Sequence, residues 1–156
     1  MRRYLIAAAL VALALPAVAT AKGPVSASMS GPGLEGGTLE FRGDGEGPGT
    51  ALGTLASSGG YFAQMFGQSP DPTLATRPTG TLGVRYTVVY VVPGPNGVRS
   101  RVVQSVYPYA KPVPLTFIKP GQRFWGTERA HGGWFRASSG FKKMLVRAGL
   151  PARAPA

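Results

Sequence analysis

The chain contains no cysteine in its 156 residues. That excludes disulfides, a thiol nucleophile, a cysteine-ligated metal and a lipid-modified N-terminal cysteine. It contains a single histidine, His131. One histidine without cysteine argues against a zinc site. Any Ser–His–Asp arrangement would have to use His131, and no G-x-S-x-G motif accompanies it. Acids are also scarce, six against 17 lysines and arginines, for a net charge of +11. Asp44 and Glu46, with Glu40 nearby, are the one acidic grouping, and they do not meet the EF-hand pattern. The glycines between Gly43 and Gly49 lack the G-K-[ST] that a phosphate loop needs. Neither a metal nor a cofactor is expected.

Long apolar runs are missing too, apart from the first residues. There, Arg2 and Arg3 precede an apolar run from Leu5 to Leu15, Pro16 breaks it, and Ala19-Thr20-Ala21 forms an A-x-A cleavage site. This is the pattern of a secretory signal peptide over residues 1–21. The run is shorter than the ~20 residues a membrane span needs, and no later segment qualifies. The expected product is a secreted or cell-wall-associated chain with no transmembrane segment after cleavage near Ala21. Export without cysteine suits a bacterial envelope, since small eukaryotic secreted domains lean on disulfides. Arginine in excess of lysine, with abundant Ala, Gly and Pro, has the look of high-GC bacterial composition. Residues 22–150 are long enough for one α+β domain with its own core, and residues 151–156 read as a disordered tail.

The organising stretch is 82–107. Val84, Tyr86, Val88, Tyr90 and Val92 alternate on one face of a strand, with Arg85, Thr87, Val89 and Val91 on the other. Pro93-Gly94-Pro95-Asn96-Gly97 ends the run, and Asn-Gly readily takes positive φ. Arg99 to Tyr107 then alternates again, which predicts an antiparallel hairpin. A lone hairpin is unstable in water, so further strands or helices must cover it. Residues 25–30, 38–42 and 115–118 supply further strands, for an antiparallel sheet of about five. Arg123–Gly126 and Trp134–Ala137 are shorter β-like pieces. Leu52, Leu55, Phe62, Met65 and Phe66 lie on a helical stripe over 50–66, with Thr50 as N-cap and Gly67 as stop. Gly59 and Gly60 weaken the middle and suggest two short helices. A C-terminal helix is expected over 139–148, capped by Ser138 or Ser139 and ended by Gly149 and Pro151. The proline-rich loop 68–80 lacks periodicity and reads as functional or mobile.

Charge is unevenly spread. Lys22 and Arg42 face five acids in residues 22–76, whereas Glu128 stands alone against 13 basic residues in 77–156. A basic half favours anionic partners, though solubility and codon bias also produce one. The densest set of functional side chains runs from Phe124 to Arg136. Its aromatics could stack on sugar rings, and its arginines could pair with carboxylate or phosphate. The candidate ligand-binding residues are Arg99, Arg101, Arg123, Trp125, Arg129, Trp134 and Arg136. The alternative account places the tryptophans in the core.

Two functions follow. The first is a non-enzymatic binding or interaction module with a basic, aromatic surface. Its partner would be an anionic cell-wall polymer, a lipid headgroup or another secreted protein. Nucleic acid is not expected as the main role: arginines near Tyr107 and Tyr109 would suit a single strand, but export argues against it. The second function is a small secreted hydrolase acting on a cell-wall component through His131 and Glu128 as base and acid. Ser139-Gly140-Phe141-Lys142 matches S-x-x-K, but no S-D-N or K-T-G follows.

Overall fold

The computed structural model describes residues 23–156, so the signal peptide expected over 1–21 lies outside the described residues. The fold is α+β. Strands β1 (Ser26–Ser30), β2 (Thr38–Arg42), β3 (Tyr86–Pro93), β4 (Arg99–Tyr107), β5 (Leu115–Ile118) and β8 (Gly133–Arg136) form one antiparallel sheet, in the order β2-β1-β3-β4-β5-β8. Between β5 and β8 in the chain, β6 (Arg123–Phe124) and β7 (Glu128–Arg129) form a separate two-stranded ribbon. The sheet thus has one strand more than expected, because the short piece after Gly132 pairs with β5 and serves as an edge strand.

The hairpin of β3 and β4 is the centre of the sheet, with Tyr90 opposite Val102 and Tyr86 opposite Val106. Its turn uses the Asn-Gly pair as the sequence predicts: Asn96 has φ 56° and Gly97 has φ 74°. Tyr86, Val88, Tyr90 and Val92 are fully buried, as the alternation requires. Helices α1 (Ala51–Ser58), α2 (Tyr61–Phe66) and α3 (Phe141–Arg147) supply the apolar cover through Leu52, Leu55, Tyr61, Met65, Phe141 and Leu145. Each such side chain contributes roughly 1.5–3 kcal/mol of burial energy.

Local chemistry explains the helix bounds. Thr50 Oγ1 accepts from the Gly53 amide at 3.0 Å and caps α1. The helical stretch divides at Gly59-Gly60. Gly60 is left-handed, at φ 76°, and a side chain there would collide with the Phe135 ring. The expected serine cap of α3 is not made: the cap position is Gly140, with no side-chain bond. The Ser138 carbonyl accepts from the Phe141 amide at 3.0 Å instead. Residues 151–156 run beside the fold, where Tyr109 donates to the Pro151 carbonyl and Pro155 lies against Gly33.

The break between α1 and α2 leaves the Gly59 carbonyl without a helical donor. The sheet provides two. Gln104 Nε2 donates to it at 3.0 Å and Thr116 Oγ1 at 2.7 Å. Gln104 also donates to Gln64 Oε1 at 2.6 Å and accepts from the Tyr90 hydroxyl at 3.0 Å. Gln64 in turn donates to the Gly133 carbonyl at 2.7 Å. Gln64, Gln104 and Thr116 are all fully buried, so this network fixes where the helices sit on β4, β5 and β8.

Candidate binding face

The helices cover one face of the sheet. The other face is open, and the strand registers place its residues in rows. One row crosses all six strands as Thr38, Ser30, Thr87, Ser105, Phe117 and Trp134. The next holds Tyr107, Leu115 and Arg136. In the opposite direction lie Val89 with Val103, then Val91 with Arg101, then Pro93 with Arg99. Leu115 is the single buried member of these rows; the rest are half-buried or exposed. Val103 is 42 % exposed, although it sits in mid-strand.

Three aromatic rings form a continuous group on this face. Phe117 and Trp134 have centroids 4.8 Å apart, and Tyr107 and Trp134 5.7 Å apart, both pairs tilted at about 30–35°. Trp134 is held from the far side by a backbone bridge to Leu74, with bonds of 2.8 Å in each direction. Loop 68–80 is thereby strapped along β8.

His131 lies in the same region. A pocket of about 430 Å³ is lined by Asp71, Thr73, Ala75, Phe117, Pro120 and His131 with its two following glycines. His131 Nε2 is 2.8 Å from Asp71 Oδ2 and 3.3 Å from Thr73 Oγ1. Thr73 donates to Asp71 Oδ1 through both its amide and its hydroxyl, each at 2.8 Å. The Thr73 amide, then its hydroxyl, then His131 hold the Asp71 carboxyl below the usual carboxylate range. The acid beside His131 is therefore Asp71, whereas Glu128 lies exposed on β7 opposite Phe124. The trio resembles an acid–base–hydroxyl set only in composition. A base relay needs one imidazole nitrogen on the acid and the other on the nucleophile. Here Asp71 and Thr73 both meet Nε2.

The other sequence candidates separate. Trp125 is left-handed at φ 48°, which costs about 1–2 kcal/mol for a residue with a side chain. Its indole N–H donates to the Pro93 carbonyl at 2.6 Å, its amide donates to Ser100 Oγ at 3.1 Å, and its ring packs on Phe66 and Phe124. It is an anchor for the ribbon. Arg123 stands directly opposite Arg129 across that ribbon, two like charges facing each other. The Arg129 side chain donates to the Gly121 carbonyl at 3.3 Å. Beside them, Gln122 replaces a strand residue along β4: its side-chain amide accepts from the Val103 amide at 2.8 Å and donates to the Val103 carbonyl at 2.7 Å. Among the described residues the contacts between basic and acidic side chains are Arg42–Glu40 and His131–Asp71, so Arg99, Arg101, Arg123, Arg129 and Arg136 have no acidic partner there. No cluster of three potential metal ligands occurs among the described residues.

The residues that sequence reasoning missed are Asp71, Thr73 and Phe117; Tyr107 entered it only as a surface for a nucleic-acid strand. Tyr107 and Phe117 were legible as outward members of their strands. Asp71 and Thr73 sat in a loop whose lack of periodicity was the one signal. Comparison with models of protein families, with curated proteins and with solved structures found no match to this chain.

Proposed function

We propose that the chain is an exported, non-enzymatic binding protein of the bacterial envelope, and that it holds an anionic saccharide polymer along the open face of its sheet. The observation that carries this reading is the run of Phe117, Trp134 and Tyr107 on an uncovered face whose arginines lack acidic partners. Flat rings stack on sugar rings, and guanidinium groups pair with carboxylate or phosphate substituents. Arg99 and Tyr107 mark the ends of β4, roughly 26 Å apart at strand rise. That length suits an extended chain better than a compact ligand. Export rests on the Arg2–Ala21 pattern in the sequence.

The test is a pull-down of the protein on intact cell walls and on anionic wall polymers across a salt series. Binding should weaken with salt as the charges are screened. Arg101→Gln with Arg136→Gln should flatten the salt dependence, and His131→Ala should leave binding intact. No binding at low salt overturns the reading.

The hydrolase reading keeps one observation in its favour, the Asp71–His131–Thr73 trio beside a pocket. Turnover of a wall polymer that His131→Ala abolishes would establish it in place of the binding reading.

A further inference from the structure

A second pocket, of about 560 Å³, lies at the end of the sheet, between the proline-rich loop joining β4 to β5, the start of α3 and the C-terminal tail. It shares no residue with the His131 pocket. Lys111 from the loop, Lys142 from α3 and Arg153 from the tail all line it, with Ser139 beside them. No acid lines it, and none of the three cations makes an ion pair among the described residues. The remaining wall is largely apolar and includes Ala110, Pro112 and Pro114.

The placement of these charges is built. Lys142 Nζ sits 4.7 Å from the centroid of the Tyr109 ring, which holds an otherwise flexible side chain. The Tyr109 hydroxyl donates to the Pro151 carbonyl, which fixes the tail two residues before Arg153. One tyrosine therefore positions two of the three cations. Burial and the neighbouring Tyr86 push the Tyr109 phenol up, so it stays a neutral donor. Three positive charges brought together without a counter-charge repel each other, and an anion in the pocket would relieve that repulsion.

We propose that this pocket binds a phosphoryl group carried on an apolar or glycerol-type body. Three cations and a hydroxyl, carried by different elements on the wall of one pocket, offer donors enough for the several oxygens of a tetrahedral anion. A carboxylate offers only two oxygens in one plane. The apolar wall would receive the body to which the phosphate is attached. Ser139 and Lys142, the S-x-x-K pair of the sequence, then act as ligand contacts with no covalent chemistry.

The test titrates the full chain with glycerol phosphate, and separately with acetate, while following backbone amide shifts by NMR. Saturable shifts at Lys111, Ser139 and Arg153 are expected, with acetate at least tenfold weaker. Lys142→Gln and Arg153→Gln should each weaken glycerol phosphate at least fivefold. Arg153 is exposed, so its variant tests the site without loss of packing even if Lys142→Gln disturbs Tyr109. Co-sedimentation with phosphatidylglycerol vesicles identifies the source of the phosphate. Sedimentation that glycerol phosphate competes away points to a lipid headgroup. Glycerol phosphate binding without sedimentation points to a soluble ester. Absence of saturable shifts, or shifts that persist unchanged in both variants, overturns the proposal. Trp134→Ala should leave this binding intact, so failure of the open-face reading and failure of this one are distinguishable.

Discussion

Gln104 and Ser105 are consecutive on β4 and meet opposite environments. Gln104 points toward the helices, where each of its amide atoms has a partner and none reaches water. Ser105 points into a row of hydroxyls and rings that no helix covers. The same division runs along the whole sheet. On the covered face, polar atoms are bonded to one another and fix the position of the helices. On the open face, arginines have no acidic partner among the described residues and aromatic rings are partly exposed. The bonded polar network lies on the first face, and the proposed binding surface lies on the second.

The largest effect should come from breaking the covered face. Gln104→Ala removes the donor to the Gly59 carbonyl and to Gln64, and the acceptor for Tyr90. The Tyr90 hydroxyl is stranded outright, at about 1–3 kcal/mol, while the Gly59 carbonyl and Gln64 Oε1 keep Thr116 as a donor, so each of those two lost bonds costs only about 1 kcal/mol. The total should be on the order of 3–5 kcal/mol, a large share of the stability of a small domain. Denaturant unfolding should show it, while the molecules that remain folded bind wall polymer as before. A loss under about 1 kcal/mol would mean that the network does not hold the helices.

The open face should respond in the reverse sense. Trp134→Ala removes the ring that stacks on both Phe117 and Tyr107. Affinity for the polymer should fall about three- to tenfold, the range expected for one aromatic pairing of about 0.5–1.5 kcal/mol. Stability should fall by less than for Gln104→Ala, about 1–3 kcal/mol, since the indole packs on two rings but is not fully buried. A large stability loss with unchanged affinity would place the aromatic run with the covered face and remove the distinction.

How much of this was readable beforehand follows the same division. Period-two alternation located β3 and β4 and identified Tyr86, Val88, Tyr90 and Val92 as core, because burial on one face leaves a repeating pattern. Glycine chemistry located the helix break and the hairpin turn, because left-handed backbone demands those residues. The partners of the Gly59 carbonyl were not readable. Gln104 and Thr116 are distant in sequence and sit at positions that alternation marks only as inward. Likewise, His131 was singled out but its acid was not: Asp71 lies 60 positions away, in a loop without periodicity.

A smaller effect concerns the strap at the edge of the open face. Asp71 is held below the ordinary carboxylate range, first by the Thr73 amide. A depressed carboxyl contributes its stabilisation above the unfolded value of about 3.9 and loses it as pH falls through the lower folded value. Loop 68–80 should therefore loosen in acid, with faster proteolysis or amide exchange below about pH 4. Asp71→Asn should remove that dependence while the hairpin stays protected. If the loop opens equally in both proteins, the strap is held by the Leu74–Trp134 bridge alone.

The smallest expected effect probes the one exception on the covered face. Among the described residues, the Tyr61 hydroxyl is the single buried side-chain polar atom without a partner, and burial pushes its phenol up from the usual tyrosine range. Its ring packs 4.6 Å from that of Tyr90, whose own hydroxyl is bonded to Gln104. The two tyrosines therefore differ in one respect, and substitution by phenylalanine isolates it. Tyr90→Phe loses a made hydrogen bond and should cost about 1 kcal/mol. Tyr61→Phe removes only an unmet desolvation penalty, so its denaturation midpoint should stay level or rise by up to about 1 kcal/mol in stability. If Tyr61→Phe instead destabilises as much as Tyr90→Phe, the hydroxyl has a partner in solution. An internal water is the species small enough to reach it. The covered face would then satisfy all its polar atoms, and the contrast with the open face would be sharper still.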